Sequence, residues 1–272
     1  MTKEEGVGGA LITELTSREC NRYLVEGGDI AVLPVGSVEA LGPHLPVGGR
    51  YYLAEAFAVL LAEQVEGIRL PVTPYSGAAH TFARPGSAAV SNEALLAYIR
   101  AAMDDLHAQG FRRILVLTCS DYLAYYTPQE FYEDHLVAAA GIHLGEVFHT
   151  YGSQVGEDSL IVGALRVLGK GELAEKVVAE NARLLAAKYA APALPDELAR
   201  LLRGGVVGFS YPEGGYPLAP NPELSGEKGE EALRAATAGL ASAVASLGEY
   251  NEFLAKRGVS RGLTWRGWRW TE

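Results

Sequence analysis

Cysteine is scarce in this chain, with only Cys20 and Cys119 among 272 residues and no CxxC spacing. That excludes a disulfide scaffold and a cysteine-built zinc site, and it fits a reducing cytoplasm as the expected location. Long apolar runs are missing too. The longest, such as Ile30 to Val35 and Ile114 to Leu117, fall far short of the roughly 20 residues that a membrane helix needs. The opening MTKEEGVGG carries acids where a secretory signal has a basic start, so no targeting segment is expected. Basic side chains are outnumbered, 23 Lys and Arg against 33 Asp and Glu, which gives a formal net charge of -10. That charge opposes approach to phosphate backbones and anionic lipids, so neither nucleic acid nor a membrane surface is an expected partner. GxGxxG, GKS and GKT are absent, and nucleotide binding through those motifs is unsupported.

What is present is a globular composition, 49% hydrophobic and 21% charged, with enough apolar material for a sizeable core. Ile30 to Val35 (IAVLPV) is entered from Gly27-Gly28-Asp29 and left through Gly36-Ser37, as suits a strand buried on both faces. Ile114 to Leu117 reads the same way. Ile68 to Val72 and Ile142 to Phe148 are further strand candidates, and Val206 to Phe209 is a weaker one. Helical spacing marks Tyr52 to Gln64, Asn92 to Ala108 with a glycine stop at Gly110, and Pro128 to Ala140. Glu172 to Ala190 and Gly229 to Lys256 are alanine-rich helical stretches. Gly204 to Pro222 reads as a long loop able to cover a cleft. The alternation predicts a layered α/β fold with a mainly parallel central sheet flanked by helices, in one domain spanning residues 1–272.

In such sheets ligands bind beyond the carboxyl ends of the strands. The first strand is followed by Gly36-Ser37-Val38-Glu39-Ala40-Leu41-Gly42-Pro43-His44-Leu45-Pro46-Val47-Gly48-Gly49-Arg50, and the Ile114 strand by Thr118-Cys119-Ser120-Asp121-Tyr122. GSVEALGPHLPVGGR resembles the first signature of the creatininase family of metal-dependent amidohydrolases, which runs GSxEQHGPHLPLxTD. The similarity continues through Pro74-Tyr75-Ser76 to His80, through Arg84-Pro85-Gly86-Ser87, and into GFRRILVL, covering roughly Ile30 to Leu160.

The resemblance implies an α/β fold, a homohexamer, and two divalent metals that activate water for attack on an amide or cyclic C–N bond. Position by position, most of that ligand set is replaced. Glu39 matches the first glutamate ligand, but Leu41 stands at the next histidine, Arg50 at the bridging aspartate, Ser120 at the histidine of the NGH element and Tyr122 at a later glutamate. Glu157 corresponds to the glutamate of the family's ETS element. Leucine has no donor atom and arginine is a permanent cation, so the ordinary binuclear centre is not expected and no metal or other cofactor is assigned. The Arg50 guanidinium is expected to pair with Glu39 and Glu157 in its place.

The remaining residues carry competing readings. Glu39 is either a general base or a fixed ion-pair partner, and Cys119 is either a thiolate nucleophile or a small buried residue. Glu39, Cys119 and Glu157 are the catalytic candidates. His44, Arg50, His80, Asp121 and Tyr122 are the substrate-binding candidates, against structural roles for His44, loop anchoring for His80 and turn capping for Asp121. Tyr51, Tyr52, Tyr125, Tyr126, Tyr211 and Tyr216 line either a pocket or packing contacts. The Trp-rich tail at about 259–272 is expected to dock on its own chain or a neighbouring subunit. The expected partner is a small polar amide or lactam-type molecule. The alternative is an inactive paralogue serving as a structural or regulatory subunit, and a single-metal hydrolase using Glu39 and Glu157 is a third reading.

Overall fold

The computed structural model describes residues 7–77, 84–120, 123–124, 138–151, 155–189, 196, 200 and 218–256. Its centre is a parallel sheet of β1 (Ile30–Val35), β2 (Ile68–Arg69), β3 (Arg113–Thr118) and β4 (Ala138–His143), in the order β2-β1-β3-β4. Around it are α1 (Ser17–Val25), α2 (Gly49–Gln64), α3 (Asn92–Gln109), α4 (Leu144–Thr150), α5 (Glu157–Val167), α6 (Gly171–Ala186) and α7 (Gly226–Lys256).

Every residue of β1 is buried, because alternate side chains serve opposite layers. Ile30 and Val32, with Leu115 and Leu117 of β3, pack into a core shared with α2, α4, α5 and α7. Ala31, Leu33 and Val35, with Ile114 and Val116, face a second core made with Tyr23 of α1 and with Leu95, Ile99 and Met103 of α3. The result is a helix–sheet–helix sandwich, the layered α/β architecture expected from the alternation of elements. Pro34 is tolerated inside this buried strand for a local reason. Its carbonyl accepts from Thr73 N–H on the β2 side, beyond the last β2 residue, Arg69, so its missing N–H falls where the ladder has already ended.

Several boundaries differ from those the sequence suggests. The fourth strand is Ala138–His143, not Ile142 to Phe148: the chain turns at His143, whose Nδ1 accepts from Glu146 N–H and caps α4. The end of the expected helix Pro128 to Ala140 is therefore strand at 138–140, and residues 128–137 lie outside the described residues. Ile68 to Val72 keeps only two strand residues. Helix α2 begins at Gly49 rather than Tyr52, while α3 ends at Gln109, beside the expected glycine stop. Helix α6 ends at Ala186, short of Ala190. The candidate strand Val206 to Phe209 and the Trp-rich tail lie outside the described residues, as does the loop Gly204 to Pro222 except for 218–222.

Besides α4, two helices escape the sequence reading. Helix α1 carries a capping box in which Thr16 and Glu19 satisfy each other's backbone N–H groups, a signal that is legible in the sequence. Helix α5 is buried from Asp158 to Leu165 without interruption, which erases the amphipathic period by which a helix is recognised. It crosses α7 at glycines. A Cβ on Gly229 would sit 1.8 Å from the Ser159 carbonyl oxygen, and one on Gly163 would sit 2.3 Å from the Glu230 nitrogen. Among the described residues, no helix is long and apolar enough to cross a membrane.

Candidate active-site cleft

From β1 the chain first moves outward to β2 and then returns to β3 on the other side of β1. The carboxyl ends of β1 and β3, paired at Val35 and Thr118, therefore flank the topological switch point where such sheets form a crevice. The segment after β1 folds back on itself. Glu39 N–H donates to the Val47 carbonyl at 2.7 Å, Ala40 N–H to Ser87 Oγ at 3.0 Å, and Leu218 N–H to the Leu41 carbonyl at 2.8 Å. It also leans directly on α2. A Cβ on Gly36 would stand 2.5 Å from Tyr51 Cα, so only glycine permits this approach.

Within this frame Arg50, in the first turn of α2, reaches two carboxylates. Its Nη1 donates to Glu39 Oε1 at 3.0 Å, its Nε to Glu157 Oε1 at 2.5 Å, and its Nη2 to Glu157 Oε2 at 3.1 Å. Ser37 Oγ also donates to Glu39 Oε1, at 2.5 Å. Glu39 is almost wholly buried, at 1% exposure. Glu157 opens α5, where the helix dipole favours an acid, whereas Arg50 is a cation at a helix N-terminus, where that dipole disfavours it. The two carboxylates compensate. Burial pulls the Arg50 guanidinium downward, but the hydrogen bonds and charge of Glu157, with the charge of Glu39, outweigh it and hold Arg50 above its usual range.

Cys119 follows β3 directly and is half-buried as a residue. Burial of its thiol dominates, pushing it up to about 12; Arg50 opposes the rise while Glu157 and Glu39 add to it. A thiol in that state is protonated at neutral pH and is a poor nucleophile. The neighbouring imidazole is His143, whose Nε2 lies 3.2 Å from the Cys119 carbonyl oxygen. Because its Nδ1 accepts from Glu146 N–H, Nε2 carries the hydrogen and donates to that carbonyl. His143 thus fastens the end of β4 to the backbone at Cys119.

The other candidates are placed differently. His44 is 3% exposed, and among the described residues neither ring nitrogen has a hydrogen-bond partner. Burial holds its imidazole below the usual range, against upward pulls from Asp158 and Glu180. Ser120 shapes the turn after β3, where its hydroxyl accepts from Leu123 N–H at 3.4 Å. His80, Asp121, Tyr122, Tyr125, Tyr126, Tyr211 and Tyr216 lie outside the described residues. Tyr51 and Tyr52 pack edge to face at 5.4 Å, and the Lys170 ammonium stands 5.4 Å over the Tyr52 ring. Sequence reasoning passed over Ser37 and His143. Ser37 was legible as a hydroxyl two residues before a candidate acid, whereas His143 was hidden inside a misplaced strand.

The residues do not fit a binuclear metal centre of the kind the family resemblance implies. Leu41 is 1% exposed and belongs to an apolar cluster with Leu45, Ile161, Val162 and Leu165. Ser120 Oγ is engaged in its turn, and Arg50 holds both Glu157 oxygens and one Glu39 oxygen. Among the described residues, no three His, Cys, Asp or Glu side chains are grouped to hold a metal ion.

Comparison with known proteins agrees with this architecture. The creatininase family, described as creatinine amidohydrolase, matches residues 13–119. No curated protein sequence matches. Among solved structures, a mutant creatininase of Zn-Zn type is 17% identical with a TM-score of 0.61, covering 89% of this chain and 98% of that one. A crystal structure of creatinine amidohydrolase is 16% identical with a TM-score of 0.58, covering 86% and 96%. A Bacteroides fragilis protein named as a candidate creatinine amidohydrolase is 20% identical with a TM-score of 0.60, covering 88% and 96%. These likenesses establish a shared fold over most of the chain. Over residues 13–119 the chain is similar to the creatininase family, and it shares the fold of solved creatininases.

Proposed function

We propose that the cleft beyond β1 and β3 takes a small polar compound of amide, lactam or related C–N type, and does so without the family's binuclear metal centre. The observation that carries this reading is the ion-pair cluster at the switch point. A guanidinium has five N–H donors, and Arg50 commits three of them to Glu39 and Glu157 among the described residues. Two donors remain, one on each Nη, beside a carboxylate whose side chain is 28% exposed at Glu157. An N–H donor next to a carboxylate acceptor complements a molecule that carries a carbonyl oxygen and an N–H on adjacent atoms. Amides, lactams and ureides have that pattern.

The same cluster favours binding over turnover. Glu39 Oε1 is already committed to Ser37 and Arg50, fixed partners that hold it in place rather than leave it aimed at a substrate proton. Cys119 is held protonated. A ligand-binding module or noncatalytic subunit is therefore the favoured form of the proposal. Metal-independent hydrolysis, with the more exposed Glu157 as base, is its active form.

Calorimetric titration with a panel of lactams, hydantoins, ureides and simple amides tests the proposal, with release of ammonia or opened rings followed in parallel. The expected result is saturable binding of at least one class, weakened in Arg50→Met and Glu157→Gln. Saturable binding unaffected by either substitution would place the ligand elsewhere, and a panel with no binder would overturn the proposal. Product formation would favour the hydrolase form.

A further inference from the structure

We infer that Arg50 is the resident cation of this site: its guanidinium performs the charge neutralisation that divalent metals perform in the family, and it keeps Glu39 and Glu157 from ligating such an ion. This concerns the protein's own charges and does not depend on which compound the cleft takes.

Two buried or half-buried carboxylates converge on one guanidinium, leaving the trio with a net charge of -1 rather than -2. Both oxygens of Glu157 receive Arg50 donors, and Oε1 of Glu39 receives two donors, from Arg50 and Ser37. At least three of the four carboxylate oxygens are thus directed at hydrogen-bond donors rather than open to a metal. The planar fork fits the two oxygens of Glu157 at once, which an ammonium would not do. Arg50 also sits where helix α2 would itself prefer an acid, so its presence answers to the two carboxylates and not to the helix. A divalent ion entering this trio would meet a fixed positive charge and would have to break three hydrogen bonds.

The substitution Arg50→Asp removes the cation and adds a third carboxylate beside Glu39 and Glu157. An all-oxygen set of that kind suits a hard divalent ion such as Mn2+. Chelator-stripped wild type and Arg50→Asp would be titrated with Mn2+ by calorimetry, with melting temperature read alongside, and Glu39→Gln would be added to each background. The inference expects no saturable Mn2+ binding at this site in the wild type. It expects saturable binding and a Mn2+-dependent rise in melting temperature in Arg50→Asp, both lost when Glu39→Gln is added.

Wild-type binding that Glu39→Gln abolishes would overturn it, as would a folded Arg50→Asp protein that binds Mn2+ no better than wild type. If Arg50→Asp does not fold unaided, Arg50→Met supplies the test. With the cation gone and both carboxylates released, it should bind Mn2+ more tightly than wild type does, an effect lost when Glu39→Gln is added. Mn2+ binding no better than that of wild type would overturn the inference. A ligand panel that fails while these results hold would remove the proposed function alone.

Discussion

Arg50 and Glu157, 107 positions apart in the chain, meet through a two-pronged ion pair, with Nε to Oε1 at 2.5 Å and Nη2 to Oε2 at 3.1 Å. The contact joins the first turn of α2 to the first residue of α5. Removing one member of a buried ion pair strands the other charge, which typically costs about 3–5 kcal/mol. With part of this cluster open to solvent, Arg50→Met should lose about 2–3 kcal/mol at neutral pH. Arg50→Lys should recover part of that loss by keeping the charge without the fork. Urea denaturation of the three proteins measures it, and an Arg50→Met midpoint equal to wild type would show that the pair contributes nothing net.

The thiol of Cys119, pushed up to about 12, should react sluggishly with a thiol reagent at pH 7.5, and its rate should keep climbing as pH is raised. Unfolding in urea should bring it to the rate of an ordinary cysteine. Cys20 provides an internal reference once Cys119→Ser is compared with the parent. Rapid labelling of Cys119 in the folded protein, level above pH 7, would instead identify a thiolate and revive the nucleophile reading.

Acid should find a weak point at His44. Its imidazole is held below the ordinary 6.5, so as pH falls the unfolded chain takes up this proton before the folded one. The stability that His44 contributes is complete above about pH 6.5 and is lost as pH drops towards the folded value. Asp158 of α5 and Glu180 of α6 face it and soften the effect without reversing it. His44→Gln should therefore show a shallower fall in urea midpoint between pH 7.5 and pH 5 than wild type. Equal slopes would mean that His44 does not carry the acid sensitivity.

The crossing of α5 and α7 leaves no room for a side chain. Gly229→Ala places a methyl group 1.8 Å from the Ser159 carbonyl oxygen, so the two helices must separate. A cost of about 1–3 kcal/mol is expected from overpacking, visible as a lower melting temperature. Because Ser159 lies two residues after Glu157 on α5, the same substitution should weaken binding in the cleft more than a surface change such as Lys176→Ala. Unchanged melting would show that the helices part without penalty.

Much of this architecture could be read from residue order. The runs IAVLPV and ILVL are short, apolar and bounded by turn residues, and both are buried parallel strands because their two faces serve two helical layers. The positions of Glu39, Arg50 and Cys119 just beyond those strands followed from the same pattern, since strand ends define the crevice in a parallel sheet. The stretch from Ile142 to Phe148 misled because its apolar residues satisfy either a strand or a helix. The choice was made by His143, whose ring caps α4 and ends β4.

Residue types and their spacing along the chain thus determined the parallel sheet and the helical layers, whereas the standing of Leu41, Arg50 and Ser120 at ligand positions is what the resemblance to the creatininase signature implies. Tertiary structure alone decided the partners. Glu157 reaches Arg50 only because α5, buried on nearly every side, packs across α2 and α7, and that burial is what removed its helical signature from the sequence. His44 belongs to the same class. Its place in a loop rich in glycine and proline is local information, but its burial without a hydrogen-bond partner among the described residues is set by helices more than 100 positions away in the chain. Local sequence governs backbone preference and the alternation of faces, while an ion pair or a desolvated imidazole depends on which distant surfaces close around it.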